Sequence, residues 1–186
     1  MGTHVIAVAN QKGGVGKTTT TINVAASLAN QGQRVLLVDF DPQANATSGI
    51  GIEKREGGSV YESLVGDALL TDQIISTPYQ NLSVIPGEVN LCGAEIELPR
   101  MDDCLHRLQR ALHSVKMANV YDIILIDCPP SLGSLTLNAF VAADSLLVPI
   151  QCEYYALEGI AMVNRLMDQV RGTGDNPELH ILGIVM

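Results

Sequence analysis

Lys17, Thr18 and Thr19 close the segment Asn10-Gln11-Lys12-Gly13-Gly14-Val15-Gly16-Lys17-Thr18-Thr19. Its three glycines let the backbone curl so that successive N–H groups point inward at phosphate oxygens. An ammonium at Lys17 can reach the β- and γ-phosphates of a nucleotide. The Thr18 hydroxyl is placed to ligate Mg²⁺, and the Thr19 hydroxyl to hydrogen-bond an α-phosphate. The usual pattern for such a loop is GxxxxGK[ST]. Here Gln11 stands where the first glycine belongs, and a second lysine, Lys12, follows it.

Two acidic sites complete the set. Val35–Val38 is an apolar run ending in Asp39-Phe40-Asp41-Pro42, and Ile123–Ile126 is an apolar run ending in Asp127. If the first run is one strand, Asp39 and Asp41 lie two residues apart on the same face of its C-terminal edge. That edge is where ligands bind in open α/β sheets. Asp41 and Asp127 are expected to support a magnesium shell with Thr18, the carboxylates acting through water. The alternative for each aspartate, strongest for Asp39, is capping of a neighbouring helix.

These residues need a scaffold, and the apolar pattern supplies one. Val5–Ala9, Val35–Val38, Ile123–Ile126, Leu146–Val148 and Ile181–Val185, with Leu82–Ile85 weaker, read as strands buried on both faces, the mark of a parallel sheet. Helical spacing is seen over Thr18–Asn30, Met101–Asn119, Ser131–Ala143 (with a serine cap) and Leu157–Arg171. Gly49–Gly58 and Thr71–Asn81 read as surface excursions. Strands alternating with helices predict an α/β, doubly wound, mostly parallel sheet with helices on both faces. Residues 1–186 are expected to form a single domain, and the apolar strand pattern at the end of the chain suggests that a C-terminal portion is missing.

Composition narrows the function classes. The chain has 186 residues, 17% charged and 47% hydrophobic, with a formal net charge of −9. The sequence shows no apolar run of the roughly 20 residues a membrane span needs and no secretory leader. Cys92, Cys104, Cys128 and Cys152 are scattered, without disulfide-scaffold or common cluster spacing. His4, His106, His113 and His180 read as surface or structural residues. The acidic group Glu95, Glu97, Asp102 and Asp103 reads as a solvated surface around a helix start.

KGGVGKTTT, Asp39–Thr47 (DFDPQANAT), Ile126–Gly133 (IDCPPSLG) and Gln151–Gly159 (QCEYYALEG) resemble the ParA/Soj chromosome- and plasmid-partition ATPases, of the deviant Walker A group of P-loop ATPases. The resemblance runs from Val5 to Met186. It implies the P-loop NTPase fold, ATP and Mg²⁺ as ligands, and an ATP-dependent homodimer with nucleotide sandwiched between subunits. It further implies non-specific DNA binding by the dimer, hydrolysis stimulated by a ParB-type partner, and a cytoplasmic, nucleoid-associated protein without a membrane anchor. The implied nucleotide-binding set is Lys12, Gly13, Gly14, Val15, Gly16, Lys17, Thr18 and Thr19. Lys12, Lys17 and Asp41 are the implied catalytic residues: Lys12 is the signature lysine that reaches the partner's phosphates, and Asp41 positions the attacking water. Gly13 lies where two such loops would approach closely.

Rival readings are a MinD-like division-site ATPase with a C-terminal amphipathic helix, an iron-protein-type redox ATPase, and a non-catalytic fragment unable to complete the nucleotide pocket. The Glu153 segment either faces nucleotide or the dimer partner, or caps a helix. An acidic chain repels DNA phosphates unless its cations cluster. We therefore expect weak or no DNA binding by these 186 residues alone, checked by a mobility shift at near-physiological salt, where a salt-sensitive shift would count against it.

Overall fold

The computed structural model describes residues 2–54, 56–153 and 156–186. The strands are β1 (His4–Val8), β2 (Val35–Asp39), β3 (Ile75–Ser76), β4 (Leu82–Ile85), β5 (Ile123–Asp127), β6 (Ser145–Pro149) and β7 (His180–Val185). The helices are α1 (Lys17–Asn30), α2 (Asn45–Gly49), α3 (Val60–Val65), α4 (Leu91–Glu97), α5 (Arg107–Ala118), α6 (Ser134–Ala142) and α7 (Ala156–Thr173). The sheet order is β3-β4-β2-β5-β1-β6-β7. All pairings are parallel except that of β3 with β4.

Why these runs became central strands is visible in their alternate residues. Leu36 and Val38 of β2 enter one core with Ile124 and Ile126 of β5 and Val5 and Ala7 of β1. Val35, Leu37, Leu125, Ile6 and Val8 enter a second core on the opposite face. Both faces are apolar because both are covered, as parallel crossovers require. The first face carries α3 to α7, through residues such as Leu64, Leu112, Phe140 and Val163. The second carries α1 and α2, through Ala25, Ala29 and Ala46, with Ile50 just past the end of α2. Beyond β1 lies β6, whereas β5 and β2 lie on its other side, so the strand order reverses at β1. This is the switch point at which an α/β sheet opens a crevice above its strand ends.

Several expectations change, among them that Ile181–Val185 is buried on both faces: β7 is an edge strand with Leu182 and Ile184 exposed. The helix expected from Met101 begins only at Arg107: Asp103 adopts a left-handed conformation (φ 53°), which breaks the helical path. The stretch read as the excursion Thr71–Asn81 contains β3, an antiparallel edge strand. The serine cap expected at Ser131 is absent, because α6 starts at Ser134 after Gly133. Its first N–H donates instead to Glu95 Oε2 of α4 at 2.6 Å. Glu95 is thus not a merely solvated acid. It caps a helix far away in sequence and places a carboxylate at the positive end of the helix dipole. Glu97 likewise accepts from the Tyr61 hydroxyl at 3.2 Å.

Glu95→Ala should therefore lower the unfolding free energy by about 1 kcal/mol in urea denaturation, the usual cost of a lost cap. Ser131→Ala should cost clearly less, and equal effects would place the cap at Ser131 after all.

Candidate functional site

The chain leaves β1 at Val8 and turns through Asn10, which is 3% exposed. Asn10 Nδ2 donates to the carbonyl of Pro149 at 2.7 Å, and its Oδ1 accepts the Lys12 N–H at 3.1 Å. One buried amide therefore fixes the start of the loop to the end of β6. Gly159, in the first turns of α7, makes room for it: a Cβ there would lie 2.7 Å from Asn10 Oδ1. Further along, Gln151 Nε2 donates to the Gly14 carbonyl at 2.9 Å. Gly14 (φ 75°) and Gly16 (φ 87°) are left-handed, a conformation that side-chain-bearing residues adopt only under strain. A Cβ at Gly13, Gly14 or Gly16 would meet nothing within 4 Å. All three instead border an open recess of 360 Å³ shared with Lys17, Thr18, Thr19, Asp41, Gln43, Asn45 and Pro130. Gly16, the N-cap of α1, offers no side-chain cap, and the helix's first turn holds no acid. Its N-terminal N–H groups and positive dipole end are therefore available to an anion.

Lys17 is 7% exposed, and its Nζ donates to the Lys12 carbonyl at 3.1 Å, tightening the loop on itself. Burial lowers its pKa, opposed by the nearby Asp127 and Asp41 carboxylates. Thr18 Oγ1 donates to Asp127 Oδ2 at 2.8 Å, and Thr21 Oγ1 to Asp127 Oδ1 at 2.9 Å. Asp127 is wholly buried and sits behind Thr18, beside the recess but not on its lining. Thr19 is exposed within the recess, and Val15 turns its side chain into the protein.

Asp39 and Asp41 do not share a strand face. The strand β2 ends at Asp39, which is wholly buried. Its Oδ2 accepts from the backbone N–H and hydroxyl of Thr47 at 2.7 and 2.6 Å, capping α2. Thr47 Oγ1 in turn accepts from Gly87 N at 3.0 Å. Asp41 lies past the strand, at the recess, with Oδ1 accepting the Gln43 N–H at 2.9 Å. Among the described residues nothing hydrogen-bonds its Oδ2. Lys12 supplies backbone to the loop, but its ammonium pairs with the Glu153 carboxylate of its own chain. It borders a second recess of 410 Å³ with Gln11, Glu158 and Gly159. The structure thus gathers Gly13, Gly14, Gly16, Lys17, Thr18, Thr19 and Asp41 around one space, backs it with Asp127, and sets the Lys12 head group to one side. Asn10, Gln151, Gln43 and Asn45 are parts of the site that fall inside the quoted motifs but to which sequence reasoning gave no individual role. Tyr154 and Tyr155 of the QCEYYALEG segment lie outside the described residues.

Asp39 and Asp127 face each other across β2 and β5. Burial above all pushes Asp127 up to about 7, with the Asp39 carboxylate adding to the rise, and pushes Asp39 up to about 6, with a smaller push from Asp41, against the hydrogen bonds that lower both. The ordinary carboxyl value is 3.8. Between about pH 4 and 7 the folded chain retains protons that the unfolded chain has released. Stability should therefore fall as pH rises through that window and level off above it. The melting temperature should be higher at pH 5 than at pH 8, and Asp127→Asn, which removes the charge at nearly constant shape, should flatten most of the difference. A wild-type melting temperature that does not change between pH 5 and 8 would rule out this proton linkage.

A family model described as an AAA domain matches residues 3–181. The sporulation initiation inhibitor protein Soj of Bacillus subtilis is 54% identical over 185 residues, covering 98% of this chain and 71% of that protein. The chromosome partitioning protein ParA of Myxococcus xanthus is 51% identical over 184 residues, again 98% of this chain but 64% of that protein. The chain thus spans about two thirds of the length of these curated relatives. Among solved structures, a cobyrinic acid a,c-diamide synthase from Mycobacterium smegmatis with bound ADP and magnesium superposes with a TM-score of 0.91 at 42% identity, covering 98% of this chain and 73% of that one. A plasmid partition protein from Borrelia burgdorferi gives 0.85 at 28% identity, covering 100% and 79%. Fold, loop and identity over nearly the whole chain agree: the chain belongs to the ParA/Soj family of P-loop partitioning ATPases.

Proposed function

We propose that the protein is a magnesium-dependent ATPase switch for DNA segregation, in which ATP binding drives dimerisation and hydrolysis ends it. The observation that carries the reading is the 360 Å³ recess at the sheet's switch point, with glycine N–H groups and the buried Lys17 ammonium on one side and Asp41 on the other. Partition relatives at 51% and 54% identity supply the biological context, against 42% for the neighbour named as a diamide synthase.

The donor set fits a triphosphate with its metal. Lys17 and the N-terminus of α1 bind and orient phosphate oxygens. Asp41 and Asp127 lie close to the buried Lys17, and Asp39 lies beside Asp127. A polyanion entering beside them is repelled unless it brings a cation. Thr18 would hold Mg²⁺ directly, with Asp41 and Asp127 supporting its waters. When bound, the ion screens the charge of the phosphates and of the leaving group. Asp127 also holds the Thr18 hydroxyl in place. With Oδ1 tied to Gln43, Asp41 keeps Oδ2 to accept a proton from, or orient, an attacking water. Lys12 in this reading crosses to the partner's phosphates like an arginine finger supplied in trans. Gly13 keeps the two loops close. DNA association and a ParB-type stimulating partner belong to the dimer of the whole protein, in the cytoplasm at the nucleoid. Among the described residues no helix is long and apolar enough to cross a membrane.

Lys17→Ala should abolish binding of a fluorescent ATP analogue. Asp41→Ala should retain binding but lower kcat by roughly 10²- to 10⁴-fold, the contribution of a positioned base, and accumulate an ATP-bound dimer in size-exclusion chromatography. Normal turnover by Asp41→Ala would remove its assigned role, and the absence of ATPase in the wild-type chain and in its full reading frame alike would remove the reading itself.

A further inference from the structure

Lys12 has an anionic partner on its own chain. Its ammonium pairs with the Glu153 carboxylate, and the recess it borders carries a second acid, Glu158. Glu153 is not a drifting surface residue. Its segment is pinned to the phosphate loop on the way out of β6: Asn10 Nδ2 holds the Pro149 carbonyl at 2.7 Å, Gln151 Nε2 holds the Gly14 carbonyl at 2.9 Å, and Glu153 N donates to the Gln151 carbonyl at 2.8 Å. These bonds carry the carboxylate to within contact of the Lys12 head group. An ammonium engaged there is unavailable to a phosphate elsewhere, because the two anions occupy different places and the side chain reaches one at a time.

We propose that Glu153 is a positioning residue that acts through Lys12: it competes with nucleotide phosphate for the ammonium and so sets the concentration of triphosphate at which Lys12 engages. The proposal rests on the nucleotide reading above. The physics favours a threshold rather than a block. The Lys12 and Glu153 side chains are 36% and 54% exposed, so their pair has the strength of a surface ion pair, about a 1.5- to 5-fold change in an equilibrium constant. A phosphoryl group with more than one negative charge can outbid a single carboxylate, whereas a singly charged or distant anion cannot. Glu153 thereby makes engagement of Lys12 depend on the charge of what sits in the loop.

The test is a double-mutant cycle. Glu153→Gln should lower KM for MgATP about 1.5- to 5-fold, and shift the midpoint of ATP-driven dimerisation by a similar factor, with a smaller change in kcat. The shift should shrink at high salt and vanish in a Lys12→Ala background. An unchanged or raised KM overturns the proposal. So does an equal drop in the Lys12→Ala background, which would mean only that a negative charge near the site had been removed. A second readout needs no nucleotide: acylation of Lys12 by an amine-reactive ester should be faster in Glu153→Gln than in wild type, and equal rates overturn the pairing. Acylation that responds to Glu153→Gln in a chain that binds no MgATP overturns the nucleotide reading, and the competition with it, while leaving the ion pair standing.

Discussion

A glycine-rich loop has few side chains with which to hold its own shape, so something outside it must fix where the helix that follows begins. In this chain that task falls on a buried carboxylate. Asp127, at the end of β5, receives the hydroxyls of Thr18 and Thr21 from the first two turns of α1. Two charge-assisted hydrogen bonds from one helix face to one strand end set both the height and the rotation of α1 above the sheet. The cost is a carboxylate removed from water, with Asp39 beside it on β2. The raised pKa of both acids measures that cost, and it is tolerated because each oxygen of Asp127 has a hydroxyl donor.

The two lysines of the loop show how far environment divides one residue type. Lys17 is buried and bonded to loop backbone, so its position is settled by the fold. Lys12 is half-exposed and bonded to another side chain, so its position depends on which anion is nearest. The first is a permanent fixture of the recess and the second is conditional. The switch proposed above would draw on both kinds of cation.

Local signals in the chain made part of this legible. A strand running into a glycine loop and a helix identifies Lys17, Thr18 and the recess. An apolar run ending in a lone acid identifies Asp127. The central strands were readable because burial on both faces leaves an unbroken apolar run. Other features had no local signature. Asn10 and Gln151 build the site through contacts spanning 139 and 137 residues of sequence, and Glu95 caps a helix 39 residues away. Asp39 and Asp41 look equivalent in sequence, yet the strand stops between them. One becomes a cap for α2 and the other reaches the recess. The edge strand β3 spans two residues, too few for any periodicity to register.

Gly159 closes the QCEYYALEG segment, one of the stretches by which the family is recognised. Its place is dictated by the volume of Asn10, a residue 149 positions earlier, which leaves no space for a methyl group. A signature can therefore be the imprint of a neighbour's shape. The letter that identifies the lineage is, at this position, a record of where an amide must fit, and it would persist in a descendant that had kept the architecture and lost the chemistry.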